Sequence, residues 1–357
     1  MRFVWGARGR LLTGVVLCLT AAAAVAQDYA VVLMYHRVGD GRFPSTNIRI
    51  EQFEAHLDYL DDNGFHVMGL PEIMRRLDAG ESLPEKTVAI TFDDAYISVR
   101  EHAHPRLRER DWPYTLFVAA DAVDRGVRSY LSWQAMRDMR GEGVVFANHS
   151  ASHAHLTRRL DGESEAEWRH RITADIERGQ ERLIAELGRD AVTLDPKLFA
   201  YPYGEYDRDV ADILRARRYI AFGQHSGVVG TDGNRRSLPR FTFNERYAAM
   251  DGFRDKIHGR PLPVTHVEPW DPVVADGRAP RMELTLEGVE APAKRLQCFF
   301  GGSRLGIEAL DDGRVAVAAA GALPPGRSRY NCTLPAPGGG FYWYSHLWLN
   351  GQTPAWD

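Results

Sequence analysis

Cysteine is scarce in this chain, with three among 357 residues: Cys18, Cys298 and Cys332. Neither Cys298 nor Cys332 sits beside a plausible base in the sequence, which argues against a cysteine nucleophile. Positive charge is not in excess. The formal net charge is −4 and becomes more negative if Arg2, Arg8 and Arg10 are removed, which argues against a nucleic-acid partner. There is no internal repeat, P-loop, dinucleotide fingerprint or low-complexity tail, so the classes that depend on them are excluded. The apolar stretch from Leu11 to Val25 is too short, and too rich in alanine near its end, to favour a permanent membrane span.

What that stretch does resemble is an export leader. Three arginines precede it and Ala24-Val25-Ala26 closes it, so cleavage is expected near Ala26–Gln27, with residues 1–26 as signal peptide. Cys18 is not expected to carry a lipid anchor, because Leu17 before it is too large for such a signal. The mature protein is expected to be periplasmic or secreted. In that oxidising setting the two remaining cysteines, Cys298 and Cys332, are expected to form a disulfide that staples the C-terminal region.

Two distant segments carry chemistry. Thr87 to Phe92 is a β-branched and aromatic run that suits a buried strand, and it ends in Asp93-Asp94. Neighbours on an extended chain point opposite ways, so one carboxylate can ligate a cation while the other stays free to accept a proton. Gly143 to Asn148 is again strand-like and delivers His149 and His153. If the chain turns helical there, that interval places both rings on one face. Two imidazoles and a carboxylate suit a divalent metal ion, with Zn2+ the first choice, and leave positions open for water and substrate.

Thr91-Phe92-Asp93-Asp94 followed by His149-Ser150-x-x-His153 resembles the first two motifs of the NodB-like polysaccharide deacetylases, carbohydrate esterase family four. Phe199-Ala200-Tyr201-Pro202-Tyr203-Gly204 resembles the third, and the likeness spans about residues 30 to 260. The resemblance implies that Asp93 is the catalytic base and that Asp94, His149 and His153 bind the metal. It also implies that the Tyr203 backbone amide serves an oxyanion hole. Pro202 and Tyr201, with Trp133 and Arg240, are expected to line the substrate groove. The sequence departs from the family in two places. Ala200 stands where an arginine normally orients the base, and no Leu-x-His segment supplies a general acid. Arg240 and His225 are the candidates left near the expected last strand, Ser237 to Phe243. The alanine at 200 and the opening Val32 to Val38 look most like the biofilm poly-N-acetylglucosamine deacetylases.

Residues 27–260 alternate strand-like and helix-like segments, including amphipathic helices over Gln52–Asn63 and Glu165–Leu187. That rhythm predicts an α/β fold of parallel strands, either closed as a barrel or open as a sheet, with catalytic residues at the carboxyl ends of the strands. The resemblance implies a distorted (β/α)7 barrel. Residues 261–280 are proline-rich and read as a linker. Residues 281–357 alternate apolar and polar residues between Gly and Pro turns and read as a small all-β sandwich. Trp343 and Trp348 there suit either core packing or stacking on sugar rings.

The implied activity is metal-dependent removal of N-acetyl groups from a β-linked N-acetylglucosamine polymer, with release of acetate. Two alternatives stand beside it: a glycan-binding protein on a decayed hydrolase scaffold, and an O-acetyl polysaccharide esterase. The partner expected is the acetylated polysaccharide; the sequence names no protein partner.

Overall fold

The computed structural model describes Met1 and residues 26–274, 279–311 and 313–351. The leader read at residues 1–26 lies outside them, apart from its two end residues. Among the described residues no helix is long and apolar enough to cross a membrane.

The N-terminal part is built on parallel strands in the order of the chain. These are β1 (Tyr29–Tyr35), β2 (Thr87–Phe92), β3 (Tyr114–Val118), β4 (Val144–Asn148), β5 (Lys197–Ala200) and β6 (Tyr219–Phe222). Each pairs in parallel with the next. A short seventh strand, β7 (Phe241–Thr242), returns to pair with β1. The residues just before it touch the other edge through a Phe222–Leu238 bridge. The sheet therefore curls until one segment spans its two edges, which is the distorted α/β barrel anticipated from the sequence. The seventh strand is shorter than the expected Ser237–Phe243.

Both faces of this sheet are buried, and the two-residue period of a strand divides its side chains between two clusters. Ala30, Val32, Ala89, Phe117, Ala147, Leu198, Ala200, Phe222 and Leu238 share one, inside the curl. Val31, Leu33, Tyr35, Val88, Ile90 and Phe92 share the other, under the surrounding helices. Those helices include α1 (Ile50–Asp62) and α3 (Glu165–Leu187), whereas α2 (Leu70–Asp78) packs Leu70, Ile73, Met74 and Leu77 against the inner cluster. In α1 the residues Phe53, Leu57 and Leu60 are buried, as their spacing predicts. Ser164 caps α3 in a capping box with Glu167.

The C-terminal part is a β-sandwich. One sheet is centred on the long hairpin of Gly326–Pro335 and Phe341–Asn350, and the other runs in the order 264–268, 281–286, 314–318, 306–309. Met282, Leu284 and Val315 of one sheet share a core with Cys298, Tyr330 and Trp348 of the other. One expectation changes here. Val264–Glu268, read as linker, pairs antiparallel with Arg281–Leu286, with a register shift between Val264 and His266, and so belongs to the sandwich; the prolines of the stretch flank the strand. Trp348 is fully buried in the sandwich core, the packing reading of the two that the sequence offered. Cys298 and Cys332 face each other across neighbouring strands and form the expected disulfide.

Candidate metal centre

Asp94, His149 and His153 come together at the carboxyl ends of β2 and β4. Their ligand atoms all lie within 4.8 Å of one another. Asp94 Oδ1 is 3.2 Å from His149 Nε2 and 3.1 Å from His153 Nε2. Asp94 and His149 are buried, whereas the side chain of His153 retains 26% of its exposure, so the centre opens to solvent on that side.

The turn that presents the two imidazoles is not helical, contrary to one reading of their four-residue spacing. Ser150 and His153 have φ of 62° and 57°, and Asp94 itself has φ of 73°. Non-glycine residues in this region carry roughly 1–3 kcal/mol of strain each, which persists where surrounding contacts over-determine the backbone. Those contacts come from α3. Asn148 Nδ2 donates to the Ile176 carbonyl at 2.9 Å, and the amide of Ser152 donates to Asp175 Oδ1 at 3.1 Å. Gly179 makes this approach possible: a Cβ there would lie 2.8 Å from the Ser150 carbonyl carbon and 3.0 Å from the Ala151 nitrogen.

The donor set fits a divalent metal ion. His149 Nδ1 is 2.8 Å from the Ala200 carbonyl, and since a carbonyl only accepts, Nδ1 carries the proton and Nε2 carries a lone pair. That Nε2 is buried with no hydrogen-bond partner and faces the Asp94 carboxylate. An orphaned nitrogen beside an anion is relieved by a cation, and a backbone carbonyl fixing the far side of the ring is the usual second support of a ligating histidine.

Asp93 is held apart from this trio. Both its oxygens accept from Arg240, at 2.7 Å from Nη1 and 2.7 Å from Nη2. Nε of Arg240 donates to the Gly223 carbonyl at 3.1 Å, and Nη1 also reaches Thr91 Oγ1 at 3.2 Å. Strand alternation explains the meeting. Ala89, Thr91 and Asp93 are in phase on β2, Leu238 and Arg240 are in phase across the curl, and both sets face inward. Arg240 thus stands in the interior of the curl, and its guanidinium clamps Asp93 in a chain that has Ala200 where the resemblance implied an orienting arginine. Burial works to raise the Asp93 pKa, but Arg240, with the His149 and His36 imidazoles, outweighs it and holds the carboxyl below its ordinary value.

The remaining expectations divide. Tyr203 lies in the turn after β5 with φ of 58°, its ring edge-on to His153 at 4.6 Å and stacked on His155 at 4.0 Å. Pro202 is buried in the same turn. Tyr201 is fully buried and its hydroxyl donates to the Arg236 carbonyl at 2.7 Å, so it packs the core and does not line a groove. Trp133 donates from Nε1 to Asp124 at 2.7 Å and lies beneath Arg182, in a surface ion-pair cluster. His225 is buried and lines a cleft of about 580 Å³ between barrel and sandwich together with His346 and Trp343. Arg240, a candidate acid in the sequence, is committed to Asp93.

Sequence reasoning missed His36. It follows β1 directly, and the charges of Asp94, Asp93, Arg240 and His149 all act on its ring; burial is the larger influence and lowers its pKa. Its position just past the carboxyl end of a parallel strand was the signal that could have found it.

A carboxylate and two imidazoles around an orphaned nitrogen, beside a second carboxylate clamped by arginine, are the equipment of a metal-dependent hydrolase domain. Residues 80–221 match the family model for polysaccharide deacetylase. The chain is 26% identical over 178 residues to YxkH of Bacillus subtilis, covering 50% of this chain and 58% of that protein. It is 26% identical over 247 residues to the poly-beta-1,6-N-acetyl-D-glucosamine N-deacetylase of Escherichia coli K12, covering 59% of this chain and 36% of that one. It thus spans less than two thirds of either relative. The solved structure of IcaB from Ammonifex degensii aligns with a TM-score of 0.52 and 29% identity, over 62% of this chain and 94% of that one.

Proposed function

We propose that this protein is a metal-dependent N-deacetylase acting on a β-linked N-acetylglucosamine polysaccharide. The observation that carries the reading is the division of labour between adjacent aspartates: Asp94 with two imidazoles, Asp93 with an arginine. The similarity to the Escherichia coli enzyme, which is named for this polymer, supports the choice of substrate. Complete retention of ligands and base weighs against a decayed scaffold that only binds glycan.

Asp94, His149 and His153 would hold the ion, with Zn2+ the best match to two imidazoles and a carboxylate. When bound, the cation supplies positive charge that polarises the acetamide carbonyl and acidifies water. Asp93 takes the proton of the attacking water. Each carboxylate oxygen keeps a lone pair beyond the one Arg240 engages, so the clamp orients the base without blocking it. The Tyr203 amide stabilises the oxyanion that forms. The proton that Asp93 has taken then passes to the departing nitrogen. The C–N bond breaks, acetate leaves and a free amine stays on the polymer. The leader read from the sequence and the disulfide fit an exported enzyme.

The test is acetate release from β-1,6 and β-1,4 N-acetylglucosamine oligomers, with and without a chelator, beside an O-acetylated glycan under the same conditions. Release from the N-acetyl substrates that stops on chelation and returns with Zn2+ is expected. Glycan binding without chelator-sensitive acetate would end the enzyme reading, and preference for the O-acetyl glycan would change the bond.

A further inference from the structure

The sandwich reaches into the turn that carries the proposed oxyanion amide. Arg327, at the start of the strand Gly326–Pro335, donates from Nη1 to the Tyr203 carbonyl at 2.7 Å. Its Nε lies 3.6 Å from Glu205 Oε1, and its guanidinium sits 5.6 Å from the centre of the Tyr203 ring. Glu205 is nearly fully buried, with a side chain 2% exposed, and its other oxygen is 2.7 Å from His155 Nδ1. His155 lies flat on the Tyr203 ring, with 11° between the planes. One side chain of the C-terminal domain therefore grips Tyr203 by its carbonyl. Through Glu205 and His155 it also supports the ring face of the same residue.

We propose that Arg327 is a positioning residue for the oxyanion turn, so that the C-terminal sandwich completes the active site of the barrel. The inference rests on the deacetylase reading for its catalytic consequence, and on geometry alone for the clamp. Tyr203 needs such support. A tyrosine at φ of 58° is strained, and left to relax it would swing the peptide whose N–H must meet the developing charge. Misplacing such a group by about 1 Å costs on the order of a hundredfold in rate. Arginine suits the task because its planar fork serves carbonyl and carboxylate together and stays charged at every working pH. The contact also ties the sandwich to the one turn whose amide acts on the substrate, which gives this domain a catalytic role without any glycan binding of its own.

The test compares full-length Arg327→Ala, Arg327→Lys and Glu205→Gln with the parent chain by two readouts. The first is amide hydrogen exchange at Gly204, whose N–H donates to the Tyr201 carbonyl, with thermal midpoint and Zn2+ affinity measured in parallel. The second is steady-state acetate release. For Arg327→Ala we expect faster exchange confined to residues 202–205, Zn2+ affinity within about threefold of the parent, and kcat lower by about 10- to 100-fold with KM nearly unchanged. Arg327→Lys restores part of kcat, and Glu205→Gln, which keeps the shape of the side chain, gives a smaller loss of the same kind. Unchanged exchange at Gly204, unchanged kcat, or a loss carried wholly by KM would overturn the proposal. A parent chain that releases no acetate would count against the deacetylase reading, while exchange at Gly204 would still decide whether the clamp exists.

Discussion

Adjacent aspartates with different partners are the informative residues of this molecule, because one peptide unit separates two chemical roles. Asp93→Asn is expected to keep the metal and lose turnover by about a hundred- to ten-thousandfold, since a general base supplies roughly 10²–10⁴ and the amide cannot take a proton. His153→Ala is expected to lose both metal and turnover. Metal content by elemental analysis beside acetate release separates the two variants, and a turnover-competent Asp93→Asn would refute its role as base. Arg240 supplies a second check. It keeps Asp93 below its ordinary pKa against the effect of burial, so in Arg240→Met the acid limb of the rate profile should move to higher pH. The same change strands a buried carboxylate and should cost about 3 kcal/mol of stability in denaturant unfolding. A profile that does not move would show that the guanidinium does not tune the base.

At the scale of elements, α3 bears on the candidate metal centre as directly as the strands do. Its Asp175 and Gly179 meet the His149–His153 turn, and a methyl group at 179 would collide with backbone at Ser150 and Ala151. Gly179→Ala would stabilise an exposed helix by about 1 kcal/mol. Here it is expected to destabilise the protein by about 1–3 kcal/mol and to weaken Zn2+ binding by about tenfold or more, read by competition with a chelating dye. A neutral result would mean that the turn and helix move apart freely. The extent of α3, Glu165–Leu187, was legible in the sequence because amphipathic periodicity and an N-terminal serine are local signals. Its glycine was not, because the backbone it must clear lies about thirty residues earlier in the chain. For the same reason Val264–Glu268 looked like a linker: the strand it pairs with is distant from the proline signals around it.

On the scale of the whole molecule, burial of histidine sets the response to acid. His56, stacked on Phe253 at 3.9 Å, is pushed down to about 4. His225 and His346, at the cleft between barrel and sandwich, are each pushed down to about 3. Burial is the first cause in all three. Each ring stays neutral in the folded chain but binds a proton near pH 6.5 when unfolded, so its contribution is whole above pH 6.5 and fades as the pH falls towards 4. Asp207 acts in the opposite sense. Burial raises its pKa to about 6, so the folded state binds its proton first and gains as the pH drops through that value. Three rings outweigh one carboxyl, and the urea midpoint should fall between pH 7.5 and pH 5 by on the order of 4 kcal/mol in stability. His346→Phe should flatten that slope by a little under half; an unchanged slope would mean the ring is not neutral in the fold.

The sequence by itself determined the parts that are written locally. The candidate ligands Asp94, His149 and His153 and the proposed base Asp93 follow strand-like runs, and motif and strand end are adjacent in the chain. The α/β alternation, the β-rich C-terminal region and the cysteine pair were readable for the same reason. Tertiary structure decided the rest. Arg240 meets Asp93 across 147 residues of chain, His36 joins the site from the first strand, and Arg327 arrives from another domain. No spacing rule encodes these contacts, because each depends on how far the sheet curls and on which inward positions the curl brings face to face.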